Sequence, residues 1–254
     1  MANWLQRLAP NRWNAMPFVV EEHCLVQVVR DDLVDGGSKM RFLPYLVPPE
    51  AEEVVFGGPF CGGAPVALAT FAKAAGIRAT IFYAKRFTLH RRQLQVLAAG
   101  SQIHFVPYGR MANVQAKARA YAAATPGAFF LPLGFDLLKA EEPFIAAARL
   151  LSGQIRPIAE IWCAAGSGML ARCLALAFPE ARICAVAVGL TSRWAKQKFP
   201  SNVRIEVANY RFDQPAAIQP PFPSCPNYDA KAWERCAARA TTRPGARVFW
   251  NVMG

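Results

Sequence analysis

Acidic side chains are missing from a long stretch of this sequence. Residues 54–135 contain no aspartate or glutamate, while the chain of 254 residues has a formal net charge of +12. Such a region has a strong positive potential, which suits a polyanion such as a nucleic acid. A solvated basic face is an equally good interpretation, because a charge run alone usually marks only a surface. The positive residues of the stretch are Lys73, Arg78, Lys85, Arg86, Arg91, Arg92, Arg110, Lys117 and Arg119.

Long hydrophobic runs, a secretory leader and paired cysteines are also missing. No uninterrupted apolar run reaches about 18 residues, which predicts that the chain does not span a membrane. Residues 1–13 lack the apolar core of a signal peptide. The seven cysteines are scattered, with no CxxC pair and no histidine at zinc spacing. We therefore expect reduced thiols, a cytoplasmic location and no metal site.

What the sequence does contain is an alternation of β-rich runs and Ala-rich helical segments. Strand, turn, helix and strand in this rhythm predict an α/β fold with parallel sheets and flanking helices. Apolar strands without alternation fit a sheet that is covered on both faces. The predicted strands are residues 24–29, 53–56, 79–84, 102–107, 160–165, 181–189 and 247–252, and the predicted helices are residues 64–75, 114–124, 168–178 and one starting at 229.

A lysine follows a tight turn behind the first of these strands. Gly36 and Gly37 precede Lys39, which stands at the start of a short helical segment. A lysine held in such a setting can form a Schiff base with a carbonyl compound. A surface lysine beside a turn is the alternative, and this motif alone favours it.

Two other strands run into glycine-rich loops that each precede a helix. We call residues 57–63 the glycine loop and residues 166–168 the phosphate loop. Backbone N–H groups and a helix N-terminus in such a loop can bind a carboxylate or a phosphate, and the Ser167 hydroxyl adds a donor. Cys61 lies in the glycine loop as a candidate reactive group, although a lone cysteine is more often inert packing.

A last segment, residues 223–236, places Asp229 at the start of a helix, where an N-cap is the simplest interpretation. In their order, these segments resemble the 1-aminocyclopropane-1-carboxylate deaminase and D-cysteine desulfhydrase branch of the fold-type II pyridoxal-phosphate (PLP) enzymes, which are similar to tryptophan synthase β. The resemblance implies a Schiff base on Lys39 and a carboxylate, Asp229, against the pyridine nitrogen beside Tyr228. It also implies cofactor contacts by Gly166, Ser167, Gly168, Met169 and Asn251.

The sequence departs from this family in the glycine loop. Where the family has Ser-Asn-His, this chain has Cys61, Gly62 and Gly63, and Ser38 replaces the asparagine before the lysine. In the family, the asparagine of Ser-Asn-His contacts the 3-hydroxyl of the cofactor, and this asparagine and the preceding serine together hold the substrate carboxylate. We therefore expect a substrate other than the family's usual small amino acid. The two glycines would leave room for a bulkier one.

The resemblance implies a two-domain architecture. We expect residues 1–48 and 133–254 to form a larger PLP-binding domain and residues 49–132 a smaller basic α/β domain, in a chain that forms a homodimer.

Three functions remain open at this stage. The first is a PLP-dependent decarboxylase acting on an amino-acid-modified thymidine in phage DNA, which would place the chain in the host cytoplasm. DNA would then be bound by Gly62, Gly63, Lys85, Arg86, Arg91 and Arg92. The second is a deaminase or desulfhydrase acting on a free small amino acid, with Lys39, Tyr228, Asp229 and Cys61 as candidate catalytic residues in either case. The third is an inactive PLP-fold binding protein, against which the retention of Lys39, Ser167 and Asp229 argues.

Overall fold

The computed structural model describes residues 4–6, 11–107, 109–135, 137–155, 157–188, 199–239 and 244–254. The chain forms two compact units: unit 1 contains residues 1–15 and 39–140, and unit 2 contains residues 16–38 and 141–254. The strands are β1 (Val20–His23), β2 (Val26–Arg30), β3 (Glu53–Gly57), β4 (Arg78–Ala84), β5 (Gln102–Val106), β6 (Ala128–Leu131), β7 (Ile158–Ala165), β8 (Arg182–Ala187), β9 (Val203–Val207) and β10 (Ala246–Asn251). The helices are α1 (Asn11–Asn14), α2 (Leu43–Leu46), α3 (Ala64–Ala75), α4 (Arg91–Ala98), α5 (Met111–Ala124), α6 (Leu138–Arg149), α7 (Met169–Ala177) and α8 (Asp229–Ala237).

Unit 1 is built on a four-stranded sheet with the order β5-β4-β3-β6, in which all strands are parallel. One face of this sheet packs on α5, where Val55, Phe82 and Val114 form part of a buried cluster. Strand β3 is buried along its whole length. This burial explains why its sequence is an apolar run instead of an alternation of apolar and polar residues.

Unit 2 is built on a six-stranded sheet with the order β1-β2-β10-β7-β8-β9. Only β1 runs antiparallel to its neighbour, and the other pairs are parallel. The core against α8 is rich in aromatic residues, since Trp233 packs at 4.9 Å from Phe222 and 5.3 Å from Phe249, between ring centroids. Crossed ring arrangements of this kind add about 0.5–1.5 kcal/mol beyond the buried area.

The fold class expected from the sequence is confirmed: the chain is an α/β protein with two parallel sheets and flanking helices. Each predicted strand and helix has a counterpart within a few residues. The C-terminal residue of the predicted strand 181–189 lies outside the described residues. Among the helices of the described residues, none has the length and apolar character needed to cross a membrane.

The units divide the chain at different points from the domain ranges expected from the sequence. Residues 1–15 belong to unit 1 because two tryptophans anchor them there. The ring of Trp4 lies 5.2 Å from that of Phe71, and its Nε1 donates a 2.7 Å hydrogen bond to the carbonyl of Pro48. Trp13 packs on the same phenylalanine at 6.5 Å, between ring centroids.

Candidate active site

The carboxyl ends of three neighbouring strands bring the predicted motifs of unit 2 to one edge of its sheet. Strand β10 lies between β2 and β7 and runs parallel to both. The turn that leads to Lys39 follows β2, Asn251 ends β10, and the phosphate loop follows β7. Ligands of open α/β sheets bind at this carboxyl edge. The motifs are therefore placed where a cofactor site is expected.

The chain is fixed to β10 immediately before Lys39. Gly37 has a φ of +77°, and a Cβ atom at this position would lie 2.3 Å from the carbonyl oxygen of Val252. The Ser38 N–H donates to that same oxygen at 3.1 Å, and the indole of Trp250 donates to the Ser38 hydroxyl at 3.3 Å. Only glycine fits this turn without strain. Lys39 itself is half-buried in a short 3-10 helix, Ser38–Arg41.

The phosphate loop ends in a left-handed glycine at the N-terminus of a helix. Gly168 has a φ of +89° and is the N-cap residue of α7, where it offers no side chain to the first turn of the helix. The N–H of Met169 points to the Ser167 hydroxyl at 3.5 Å. The N-terminus of a helix carries partial positive charge and N–H groups without intrahelical partners. The loop can therefore bind a phosphate.

Tyr228 stabilises the phosphate loop through a hydrogen bond to its backbone. Its hydroxyl oxygen accepts a 2.8 Å hydrogen bond from the N–H of Gly166, although the two residues are 62 positions apart. A Cβ atom on Gly166 would lie 3.1 Å from that oxygen and 3.3 Å from Cε2 of the ring. Burial raises the pKa of Tyr228 far above its ordinary value, and the neighbouring Asp229 charge raises it further. The hydroxyl therefore stays neutral and remains bonded to the Gly166 N–H.

Asp229 is the first residue of α8 and is fully buried. Its carboxylate lies close enough to Tyr228 and Cys163 to raise the pKa of both, although burial is the larger cause in each case. The buried carboxylate thus directly follows, in the chain, the tyrosine whose hydroxyl is bonded to the phosphate loop. PLP has a phosphate and a pyridine nitrogen on one ring system, so this arrangement of donors and carboxylate fits the cofactor.

Asn251 is fully buried and is engaged with the segment that precedes Tyr228. Its Nδ2 donates to the carbonyl of Pro223 at 2.8 Å, and its Oδ1 accepts from the Ser224 hydroxyl at 2.9 Å. These two hydrogen bonds attach the loop that leads to α8 to the end of β10. A direct contact of Asn251 with a cofactor stays a prediction.

Lys231 is a buried residue that sequence reasoning missed. It is 1% exposed, and its Nζ donates to the carbonyls of Arg211 at 2.8 Å and Phe212 at 3.3 Å. The bonds tie the loop after β9 to the first turn of α8, next to Asp229. The lysine two residues after Asp229 was visible in the motif, but nothing in the sequence indicated that it is buried.

In unit 1, the glycine loop runs from the end of β3 to the N-cap of α3, which is Gly63. Gly62 closes a turn by donating its N–H to the carbonyl of Pro59 at 3.1 Å. Cys61 is only 3% exposed, and none of the seven cysteines is in a disulfide. Across the described residues there is no group of three or more His, Cys, Asp or Glu side chains arranged to hold a metal ion.

The basic residues of the acid-free stretch, residues 54–135, lie at the surface, with one exception. Lys85, Arg86 and Arg91 are exposed, whereas Arg92 is 2% exposed and donates to Oε1 of Gln95 at 3.2 Å. The expectation of Arg92 as a surface cation that contacts DNA is therefore corrected. The residue occupies the first turn of α4 on its inner face, next to the fully buried Gln93.

Solved structures resemble this chain over its whole length. The crystal structure of a homologue of ACC deaminase has a TM-score of 0.80 at 17% identity, covering 100% of this chain and 95% of that one. O-ureido-L-serine synthase has a TM-score of 0.64 at 14% identity, with coverages of 100% and 92%. The O-acetylserine-dependent cystathionine β-synthase of Helicobacter pylori has a TM-score of 0.63 at 14% identity, with coverages of 99% and 95%.

No protein-family description and no curated protein matches the sequence. The likeness is therefore one of structure, and at these identities it establishes the fold. Taken with the two parallel sheets and the motifs at the carboxyl edge of unit 2, it shows that this chain has the two-domain fold of the fold-type II PLP enzymes.

Proposed function

We propose that this chain is a PLP-dependent lyase that breaks a bond at the Cα atom of an amino-acid substrate. One observation carries the proposal: the buried Asp229 follows Tyr228, whose hydroxyl is bonded to the N–H of Gly166 in the phosphate loop. A carboxylate at this position can accept a hydrogen bond from a protonated pyridine nitrogen and favour that protonated form.

When bound, PLP supplies an electron sink for the pair released from Cα. The roles of the protein residues follow from their positions. Lys39 would hold the cofactor covalently, at the end of the turn fixed by Ser38 and Val252. Ser167 and the N-terminus of α7 would hold the phosphate. Asp229 would keep a proton on the pyridine nitrogen, and the neutral Tyr228 would keep the loop in place.

The finer form of the proposal concerns the substrate, and we infer a decarboxylase acting on an amino-acid-modified thymidine in DNA. The glycine loop supports it, because Cys61 and Gly62 replace the Ser-Asn pair that the resembling family uses to hold a substrate carboxylate. Decarboxylation is fastest when that carboxylate loses its polar contacts. The exposed cations of unit 1 also support it, since they provide charge for phosphates.

A deaminase or desulfhydrase acting on a free small amino acid is the second candidate. The observation that favours it is the similarity of the whole chain to an ACC deaminase homologue, at a TM-score of 0.80. This candidate does not require the cations of unit 1 to contact anything. It requires some other group to replace the lost Ser-Asn pair at the substrate carboxylate.

The test begins with the purified protein and added PLP. We expect yellow absorbance, loss of that absorbance on borohydride treatment, and a reduced PLP label that peptide mapping assigns to Lys39. The protein is then given an oligonucleotide with an aminoacylated thymidine, and separately ACC and D-cysteine. Release of CO2 from the oligonucleotide supports the decarboxylase, and release of ammonia or sulfide from the free amino acids supports the second candidate. No label on any lysine would reject both.

A further inference from the structure

Residues 85–91, called here the basic loop, comprise the connection from the carboxyl end of β4 to α4 and the first residue of α4. Phe87 stands at its tip with a relative exposure of 110%. Lys85 and Arg86 precede this ring, Arg91 follows it, and all three are exposed. A single exposed phenylalanine carries no meaning by itself. Its position among three cations, in a stretch without any acid, is what sets it apart.

The basic loop is held firmly at its C-terminal end. The His90 ring accepts the Arg92 N–H at 3.2 Å, and the Gln93 side chain accepts the His90 N–H at 2.9 Å, which together form a capping box for α4. Such a reciprocal cap satisfies two N–H groups at the start of the helix. The capping box thus anchors the segment that carries Phe87 to the start of α4.

The basic loop also contacts the glycine loop through Phe60. The guanidinium carbon of Arg86 lies 3.6 Å from the centre of the Phe60 ring, and the His90 ring packs on its edge at 5.3 Å between centroids. Strands β3 and β4 are parallel neighbours, with Gly57 opposite Phe82, so both loops leave the same edge of the sheet. A ligand on the basic loop would therefore lie beside Gly62 and Gly63.

We propose that the basic loop binds an unpaired stretch of nucleic acid, with Phe87 stacked on a base and with Lys85, Arg86 and Arg91 on the flanking phosphates. Aromatic stacking combined with a row of cations is how proteins bind single strands without sequence preference. The proposal rests on the DNA-linked form of the proposed function for the identity of the base, but the binding itself needs no cofactor. An enzyme acting on a base must first remove it from the duplex, and an exposed ring suits that unpaired state.

The charge pattern favours nucleic acid over a membrane surface. Membrane-bound segments expose a broad apolar face, commonly an amphipathic helix with several large side chains. The basic loop presents one fully exposed ring and one partly exposed leucine, Leu89, and its cations flank the ring on both sides in the chain. An exposed ring flanked by cations fits a base flanked by phosphates better than it fits the broad apolar face of a membrane-bound segment.

The experiment measures the fluorescence anisotropy of a labelled single-stranded oligothymidine and of the matching duplex, over a range of salt concentrations. We expect the wild type to prefer the single strand. Phe87→Ala should weaken binding roughly five- to hundredfold, the range reported for the loss of one stacked base, without changing the salt slope. Phe87→Trp should restore the affinity. Arg86→Gln and Arg91→Gln should each lower the slope by about 0.7 on single strands.

Two matched controls lie in the same unit. Lys117→Gln removes an exposed cation on α5, and Leu94→Ala removes an exposed apolar side chain on α4. Both should bind as the wild type does. Equal affinity of Phe87→Ala and wild type, an equal loss in the controls, or tighter binding to phosphatidylserine vesicles than to the oligonucleotide would each overturn the proposal.

The PLP absorbance of each variant separates this inference from the proposed function. Normal absorbance with no binding to the oligonucleotide would reject the basic loop as a nucleic-acid site and leave the lyase intact. Phe87-dependent binding in a protein that takes up no PLP would reject the lyase and leave the basic loop intact.

Discussion

Unit 2 buries the polar groups of its candidate site, whereas the acid-free stretch of unit 1 exposes nearly all of its charges. In unit 2, Asp229 is fully buried and Tyr228 is bonded to Gly166, 62 positions away. In unit 1, the residues of the acid-free stretch carry positive charges that are all exposed except that of Arg92. Buried polar groups need fixed partners, while exposed cations need only a surface.

This contrast separates the chemistry of the site from the choice of substrate. The residues of unit 2 that match the resembling family are those whose contacts leave little freedom, such as Gly37 against Val252. The residues that depart from it include Cys61, Gly62 and Gly63 in the glycine loop of unit 1 and Ser38 in unit 2. Under the proposed function, the residues that match the resembling family keep the cofactor chemistry, and the glycine loop is where the substrate differs.

The variant with the largest expected effect is Lys39→Ala, which tests the proposed attachment of the cofactor. Removal of the amine should abolish the borohydride-stable PLP label and lower activity by orders of magnitude, because no other group can replace a covalent attachment. Lys73→Ala, which changes an exposed lysine on α3, is the matched control and should keep both. A PLP label that persists in Lys39→Ala would show that the cofactor is attached to another lysine. The proposed role of Lys39 would then be wrong.

Asp229→Asn should have the next largest effect. The amide cannot keep a proton on the pyridine nitrogen, so activity should fall about a hundredfold or more, as for the loss of one preorganised electrostatic contact, while PLP still binds. The measurement is kcat together with the PLP absorbance. Asp213→Asn, at an exposed acid that pairs with Arg211, should leave both unchanged. Full activity in Asp229→Asn would reduce Asp229 to a buried residue in the first turn of α8, where Tyr228 and not Asp229 is the N-cap residue.

The sequence predicted the elements whose signals are local. The apolar runs of β3, β4 and β7 and the Ala-rich helix α3, ended by Gly76, need no distant partner to be recognised. Elements whose stability comes from tertiary contacts were missed. They are β1, β6, β9, α4 with its histidine cap, and α6, which contains Pro143 yet is held by the buried Phe144.

The candidate site shows the same division. The order of Lys39, the phosphate loop and Asp229 was recognisable from motifs, because each is a short run of residues. The bond from the Gly166 N–H to the Tyr228 hydroxyl was not, because it joins residues 62 positions apart. The burial of Arg92 was also unpredictable, since its neighbour Arg91 has the same side chain and is exposed. Side-chain orientation on a helix decides that difference.

Tyr228→Phe tests whether the non-local bond matters. The change leaves the ring in place but removes the acceptor of the Gly166 N–H, and a buried donor without a partner costs about 1–3 kcal/mol. We expect the free energy of unfolding to fall by that amount and the affinity for PLP to fall with it. Gly166→Ala should reproduce the loss, because its Cβ would crowd the tyrosine oxygen at 3.1 Å. Unchanged PLP affinity in both variants would show that the phosphate loop does not need the Tyr228 hydroxyl to bind the cofactor.

The smallest expected effect lies in unit 1, at His90. Burial, and then the charges of Arg91, Arg92 and Arg86, lower the pKa of His90 below its ordinary value. Its Nδ1 must be unprotonated to accept the Arg92 N–H. The unfolded chain therefore binds this proton more readily than the folded one. The stability that the cap contributes is fully present above about pH 6.5 and is lost as the pH falls towards the lowered pKa.

His90→Asn removes the titration but keeps a good N-cap residue. Its free energy of unfolding should equal that of the wild type near pH 7.5 and exceed it near pH 5, whereas His90→Ala should lose about 0.5–2 kcal/mol at pH 7.5. Denaturant titrations at the two pH values measure this. Because the capping box supports the basic loop, His90→Asn should also keep single-strand binding at pH 5, where the wild type weakens. Parallel losses in wild type and His90→Asn would show that the acid sensitivity arises elsewhere.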